Sequence, residues 1–253
     1  MTRRIVSWFS NGAASAVATK LILAEHGHEN VVVATTDPGS EHDDSRRFQV
    51  DCGRWFRHPI VILKNQDYRD TWDVWERRHF IIGQHGAPCT GELKRKMRFA
   101  FQRPDDIQVF GYTADEEHRA DRFRRENFDI DLRTPLIDRG LTKSDCLAIV
   151  ADAGLVLPAM YRLGYRNNNC IGCPKGGMGY WNKIRRDFPD VFARMADLEQ
   201  RLGHAILRDG RGAGAQPLYL VDLDPDRGDH ANEPDMDCSL LCSLATAEIE
   251  AGP

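Results

Sequence analysis

The sequence of 253 residues contains no long apolar run and no strong excess of either charge. A membrane-spanning helix needs about 20 consecutive apolar residues, and no stretch approaches that length. The 34 basic and 38 acidic residues argue against a generally basic nucleic-acid binder, although they allow local basic patches. The N-terminus, Met-Thr-Arg-Arg, leads into a strand pattern without the apolar core of a signal peptide. We therefore expect a cytoplasmic protein with no membrane partner.

The chain also lacks internal repeats, low-complexity segments and an even set of cysteines. Seven cysteines in a reducing compartment argue against a disulfide framework and leave metal binding, redox chemistry or packing as their roles. Cys52 and Cys146 lie on apolar faces of helical patterns, so we assign both to packing.

Short β-branched runs alternate with helical patterns in the first half of the chain, which predicts an α/β fold with a Rossmann-like, doubly wound parallel sheet. The expected strands are residues 5–9, 31–36, 60–63, 107–112 and 128–133, with a further strand-like piece at 218–221. We expect a nucleotide-binding domain over residues 1–140. Residues 141–253 should form a helical and irregular extension that carries a Cys-x-x-Cys turn and packs as one unit with that domain.

The first strand pattern runs through a turn of small and polar residues directly into an alanine-rich helix. This turn, Ser10-Asn11-Gly12-Ala13-Ala14-Ser15, has the composition of an anion site. The first amides of a helix have no internal acceptor and the helix dipole is positive there, so the turn could hold phosphate. A plain strand-to-helix turn is the alternative.

Acidic residues follow the second expected strand in the string Asp37-Pro-Gly39-Ser-Glu41. Ligands of open α/β sheets bind at the carboxyl ends of strands, so these groups could hold a ribose, a base edge or Mg²⁺. An exposed turn followed by a helix cap is the alternative.

Three cysteines have neighbours in the sequence that are typical of metal-binding cysteines. Cys89 precedes a basic helix, which would lower the pKa of its thiol, and Cys170 and Cys173 form a Cys-x-x-Cys turn followed by proline and glycines. A redox pair, a zinc half-site and a cluster site are all compatible with that turn. Three thiolates favour a 4Fe-4S cluster with one open iron, whereas zinc would prefer a fourth ligand from Cys238 or Cys242.

A mixed acidic and basic segment begins at Gly111 after the fourth expected strand and includes Asp115. Arg119 and Arg122 would share one helical face, a spacing suited to an anionic substrate, although a solvated face is equally compatible. Later cations such as Arg166 and Lys183 stand among tyrosines and Trp181, a pattern that suits nucleotide or single-strand contacts as well as amphipathic helices.

In order, these strings resemble the phosphoadenylylsulfate reductase-like branch of the PP-loop ATP pyrophosphatase superfamily, over about residues 3 to 190. Residues 10–15 resemble its Ser-Gly-Gly-x-Asp-Ser loop, and residues 37–41 its Asp-Thr-Gly-x-Glu motif. The string Cys89-Thr-Gly-Glu-Leu-Lys94 is similar to its Cys-Thr-x-x-Leu-Lys motif, and residues 111–117 to its Gly-x-Arg-x-Asp-Glu-Ser segment.

The resemblance implies that residues 10–15, with Asp37, Gly39, Glu41 and Gly111, bind ATP or an adenylyl nucleotide together with Mg²⁺. A substrate oxygen would attack the α-phosphate, pyrophosphate would leave, and a sulfur nucleophile would then displace AMP. The catalytic residues implied are Ser15, Asp37, Lys94, Asp115 and Arg119.

The sequence departs from the family pattern at several positions. Asn11 replaces the first loop glycine, Ala14 the loop acid, and Thr113 an arginine. Asp37 and Glu41 could supply the magnesium ligand that Ala14 does not, and Arg119 or Arg122 the missing cation. The Glu-Cys-Gly-x-His nucleophile of sulfate-assimilation reductases and the paired Cys-Cys of cluster-bearing reductases are absent from the sequence.

The function expected is therefore an ATP pyrophosphatase and sulfurtransferase that activates an oxygen of DNA or tRNA for replacement by sulfur, as in DNA phosphorothioation or tRNA thiolation. The cluster of Cys89, Cys170 and Cys173 would carry sulfur from a cysteine desulfurase or another donor, with companion modification proteins, in a monomer or homodimer. A phosphoadenylylsulfate or adenylylsulfate reductase is the first alternative. A non-catalytic nucleotide-binding or zinc-stabilised regulatory protein is the second.

Overall fold

A computed structural model describes residues 3–83, 86–210, 212–234 and 236. It contains a central sheet of five parallel strands in the order β3-β2-β1-β4-β5, with helices around it, which confirms the expected fold class. The strands of this sheet are β1 (Ile5–Trp8), β2 (Val31–Thr36), β3 (Ile60–Leu63), β4 (Ile107–Val109) and β5 (Asp131–Arg133). No helix among the described residues is long and apolar enough to cross a membrane.

The helices follow the strands in the alternation that the sequence predicts. In chain order they are α1 (Ala13–His26), α2 (Asp44–Phe56), α3 (Thr71–Arg78), α4 (Pro88–Thr90), α5 (Lys96–Phe101), α6 (Glu117–Glu126), α7 (Lys143–Asp152), α8 (Ala159–Arg162), α9 (Met178–Asp187) and α10 (Pro189–Leu202). A π-helical turn, Gly91–Arg95, joins α4 to α5.

Strand β1 lies at the centre of the sheet and all four of its residues are buried. Ile5 pairs with Val31 on one side and with Ile107 on the other. From β1 the chain continues to β2 on one side of the sheet, and from β4 it continues to β5 on the other side. The connections that follow β1 and β4 therefore run in opposite directions. This is the switch point where open α/β sheets bind ligands.

The two expected parts of the chain share their hydrophobic cores. Cys146 and Val150 of α7 pack in the same core as Ile5 and Val17. A second core joins α3 to α9 and α10 through residues such as Trp75 and Trp181. Cys52 and Cys146 are fully buried, which confirms their packing role, and burial raises the pKa of Cys146 to about 12.

The prediction of a strand at residues 218–221 is wrong. Instead, β6 (Leu207–Asp209) and β7 (Gln216–Leu218) form an antiparallel hairpin, and Leu220–Asp222 is a 3₁₀ turn. The physical reason is Glu199 of α10, a fully buried carboxylate that accepts hydrogen bonds from the amides of Ile206 at 2.6 Å and Leu220 at 2.8 Å. The bond to Leu220 holds the chain in a turn after β7 and ends the strand there.

Glu199 should make the stability of the fold depend on pH. Burial raises its pKa from 4.5 to about 7. The folded state therefore binds a proton that the unfolded state has lost, and we expect the free energy of unfolding to fall as pH rises from about 5 to about 8. Urea titrations across this range should show a flatter dependence for Glu199→Gln than for wild type. An exposed control, Glu29→Gln, should keep the wild-type slope, and an unchanged slope in Glu199→Gln would contradict the assignment.

Candidate functional site

The turn between β1 and α1 is held in shape by Ser15. The Ser15 hydroxyl accepts hydrogen bonds from the amide and from the hydroxyl of Ser10, both at 3.0 Å, and it donates to the Gly12 carbonyl at 3.0 Å. Gly12 is the N-cap of α1 and has no side chain to cap the helix. The turn is thus closed by its own serines, and no side chain of the turn caps the first amides of the helix, although the Ala13 amide donates to the Tyr161 hydroxyl at 3.4 Å.

Asn11 takes the backbone conformation that a glycine would take. Its φ of 56° lies in the left-handed region, which asparagine tolerates better than other side chains do. Its side-chain amide donates to Glu41 at 2.9 Å, and its carbonyl accepts from Asn168 at 2.9 Å. Asn11 therefore holds a turn of the shape that glycine would allow, and its side chain links this turn to the turn after β2.

Gly111 lets the end of β4 approach α1 closely. A Cβ atom at this position would lie 2.7 Å from Cα and 2.8 Å from the backbone N of Ser15. Because the neighbouring atoms are backbone atoms at the start of a helix, they cannot move aside easily. A glycine is required where these two elements meet.

An open cavity of about 180 Å³ lies at the switch point, between the ends of β1 and β4 and the start of α1. Its charged lining residues are the cations Lys94, Arg119 and Lys143 and the carboxylates Glu41 and Glu116. The structure therefore brings together, at one cavity, most of the residues predicted for nucleotide binding or catalysis: Ser10, Gly12, Ala13, Ala14, Ser15, Glu41, Lys94, Gly111 and Arg119.

The cations reach this cavity from different elements. Lys94 lies in the π-helical turn, a feature often found at functional sites. Arg119 of α6 pairs with Glu116 and stacks on Tyr112 at 5.3 Å. Lys143 begins α7. A cavity with three cations beside a helix start suits a polyanionic ligand.

Asp37 and Gly39 line a second cavity, of about 260 Å³, together with Asn11 and Glu41. Burial raises the pKa of Glu41, and Asp37 raises it further, while Lys94 and the Asn11 hydrogen bond lower it. Asp37 accepts from the Gly39 amide at 2.8 Å and lies 3.6 Å from Lys64. Glu41 and Thr36 line both cavities, and Glu41 is the charged residue of the two.

Asp115 and Arg122 are predicted residues that line neither of the two cavities. Asp115 is exposed, and its carboxylate accepts from the Lys143 amide at 3.3 Å, at the start of α7. Arg122 is also exposed on α6. Of the two arginines expected to face an anionic substrate, the cavity at the switch point contains Arg119.

Several residues at the cavity were not singled out from the sequence as site residues. The Tyr161 hydroxyl lies 3.4 Å from the Ala13 amide, and Glu116, Lys143, Asn168 and Met236 also contribute to the lining. Glu116 lies within the motif of residues 111–117, and the three consecutive asparagines at 167–169 were a further signal, because asparagine favours caps and turns over helix interiors. Tyr161 and Ala13 lie far apart in the sequence, so their contact leaves no local sequence pattern.

Buried polar atoms at the two cavities have no hydrogen-bond partner among the described residues. They are Oδ1 of Asn11, Oγ1 of Thr35, Oδ1 of Asn168 and Nδ2 of Asn169. Buried polar groups are normally satisfied, so a cluster of unsatisfied ones indicates a ligand site.

The three predicted cysteine ligands are buried, with exposed fractions of 8% for Cys89, 7% for Cys170 and 6% for Cys173. The turn of residues 170–173 is tied to the turn after β2 by the Ile171 amide, which donates to the Ser40 carbonyl at 2.9 Å. The described residues include no group of three or more histidine, cysteine, aspartate or glutamate side chains arranged to hold a metal ion. Cys238 and Cys242 lie outside the described residues.

Comparisons with known proteins do not assign a function. No family model matches the sequence. An uncharacterized protein of Methanocaldococcus jannaschii is 20% identical over 207 residues, which are 78% of this chain and 47% of that protein. The chain thus spans about half the length of the curated relative that it matches.

Proposed function

We propose that this chain is an ATP pyrophosphatase that adenylylates an oxygen of a nucleic acid, so that sulfur can replace that oxygen. One observation carries the proposal: the start of α1, closed by Ser15 and approached by Gly111, faces a cavity lined by three cations. Backbone amides at a helix start and converging cations are the groups that hold and neutralise a triphosphate.

The proposed chemistry uses these groups for charge stabilisation. An acceptor oxygen attacks the α-phosphorus of ATP, the bond from that phosphorus to the bridging oxygen breaks, and pyrophosphate leaves with the electron pair. The amides at the start of α1 would orient the phosphates. Lys94, Arg119 and Lys143 would offset the charge that develops on the phosphate oxygens. A sulfur nucleophile would then attack the acceptor atom, and AMP would leave with the original oxygen.

Side-chain oxygen atoms that could bind Mg²⁺ lie at the border of the two cavities. Glu41 and Asp37 line the second cavity together with the unpartnered Oδ1 atom of Asn11. Carboxylate and amide oxygens suit this ion, which would supply charge neutralisation for the phosphates. These residues also compensate for Ala14, which brings no acid to the loop.

The cysteines fit a thiophilic metal centre by chemistry, because three buried thiols lie on α4 and on the turn that follows Asn169 of the cavity wall. In the described part of the chain, however, these thiols do not come together as a group of three or more side chains arranged to hold a metal ion. No step of the proposed reaction therefore passes through a cluster. The sulfur would come from a cysteine desulfurase or another donor.

Iron analysis tests the cysteine assignment directly. We expect anaerobically purified protein to contain iron and to absorb broadly in the visible range, and we expect Cys170→Ser to lose both properties because it removes one thiolate ligand. Cys52→Ser is the matched control, since Cys52 is buried in a different core. Iron-free wild-type protein, or unchanged iron in Cys170→Ser, would contradict the assignment.

Product analysis separates the proposed function from its reductase alternative. Wild-type protein is incubated with ATP and Mg²⁺ in the presence of duplex DNA or tRNA, and in parallel with adenylylsulfate and a thiol. We expect pyrophosphate and adenylylated nucleic acid from ATP, and AMP once sulfide is added as the sulfur nucleophile. Release of sulfite from adenylylsulfate without ATP would favour the reductase instead.

A further inference from the structure

Residues 228–234 and Met236, here called the C-terminal strap, are fastened to the start of α9. The Glu233 carboxylate accepts hydrogen bonds from the amides of Gly179 at 2.6 Å and Tyr180 at 2.9 Å. These amides belong to the first turn of α9, where no intrahelical acceptor exists, and the N-cap Gly177 has no side chain. Glu233 therefore supplies the side-chain cap of α9 that Gly177, the N-cap residue, does not have.

Two glycines let the strap pack against α9 backbone to backbone. A Cβ atom on Gly228 would collide with the backbone N of Gly179, and one on Gly179 would collide with the backbone of Asp229 and His230. The Arg166 guanidinium donates to carbonyls of the strap, at Ala231 and Glu233. The strap position is thus set by several independent contacts.

The same contacts connect the strap to the cysteine turn. Tyr180, whose amide binds Glu233, accepts hydrogen bonds through its hydroxyl from the amides of Gly172 and Cys173, both at 3.0 Å. Beyond Glu233, Met236 packs against the core that contains Tyr180 and Trp181, and it also lines the cavity at the switch point. The strap therefore extends from the cysteine turn to the ligand cavity.

We propose that the C-terminal strap forms part of the ligand site, with Met236 packed against the nucleoside portion of the ligand and Glu233 as the residue that positions it. The inference rests on the proposed function, because it takes a nucleotide to be the occupant of the cavity. A thioether offers no hydrogen-bond donor to a phosphate, whereas it packs well against flat aromatic rings. Phosphate donors are already supplied by α1 and the three cations.

Calorimetric titrations with ATP and with inorganic tripolyphosphate test this role. Tripolyphosphate carries the phosphates without a nucleoside, so a residue that touches only the nucleoside should not affect its binding. We expect Met236→Ala to weaken ATP binding about tenfold, in line with the loss of a few apolar atoms from a binding pocket. Tripolyphosphate affinity should stay unchanged, and Met236→Leu should restore ATP affinity.

Glu233→Ala should weaken ATP binding and leave tripolyphosphate binding unchanged. It removes the hydrogen bonds that fasten the strap to α9, and Glu233 itself does not line the cavity. Gly214→Ala, where a Cβ would meet nothing within 4 Å, is the matched control and should bind both ligands as wild type does. Equal ATP affinity in wild type and Met236→Ala would overturn the strap inference. Equal losses for both ligands would overturn it as well, since they indicate a disturbed phosphate site. Wild-type protein that binds neither ligand would instead overturn the proposed function together with the inference.

Discussion

A Ser15→Ala variant is expected to release pyrophosphate from ATP at least about 100 times more slowly than wild type, the scale of loss that a small misplacement of reacting groups can cause. The Ser15 hydroxyl accepts two hydrogen bonds from Ser10 and donates one to the Gly12 carbonyl. Without them the turn can open, and the amides at the start of α1 no longer converge on the phosphates. Initial rates of pyrophosphate release at saturating ATP measure the effect.

The control for this variant is Ser144→Ala, a change of the same size at an exposed position of α7. It should turn over ATP at the wild-type rate. Circular dichroism and urea titration of Ser15→Ala are needed to check that the variant folds. Full activity in a folded Ser15→Ala variant would show that the turn does not hold the phosphates.

Gly111→Ala is expected to weaken ATP binding by about two orders of magnitude and to lower the free energy of unfolding by about 1–3 kcal/mol, the usual cost of forcing an extra methyl group into a packed site. The new Cβ would lie 2.7 Å from Cα of Ser15, so β4 and the start of α1 would have to separate. Separation would displace the amides and widen the cavity between them. Calorimetric titration with ATP and urea titration measure the two effects.

The matched control is Gly53→Ala within α2, where a Cβ would lie 3.7 Å from Cδ1 of Ile60, an ordinary contact. This variant should bind ATP normally and be at least as stable as wild type, because alanine is a better helix former than glycine. If Gly111→Ala bound ATP as tightly as Gly53→Ala does, the close approach of β4 to α1 would not be part of the binding site.

The alternation of apolar runs and helical patterns is sufficient to predict the main sheet, because each parallel strand is a short buried segment followed by a helix. The predicted strands at 31–36 and 60–63 match β2 and β3 at both ends. The predicted strand ends at residues 112 and 221 differ from the observed ends at 109 and 218. Tertiary contacts decide where such strands end. At the second of these ends, Glu199 of α10 binds the Leu220 amide and turns the chain.

The candidate site was only partly predictable for the same reason. The turn of residues 10–15 is a local pattern, and Glu41 follows a strand end, so both could be read from the sequence. Tyr161, Asn168 and Met236 reach the cavity through contacts with residues far away in the chain, which no short motif encodes. Asp115 lies in a motif that predicts catalysis, and its carboxylate accepts a hydrogen bond from the Lys143 amide at the start of α7.

The most direct test of the proposed function is a crystal structure of the wild-type protein with α,β-methylene-ATP, which cannot release pyrophosphate. The phosphates should lie at the start of α1, within hydrogen-bonding distance of the backbone amides of residues 12–15 and in contact with Lys94 and Arg119. Phosphates bound anywhere else, including the second cavity beside Asp37, would contradict the proposal that this chain positions ATP for attack at the α-phosphorus.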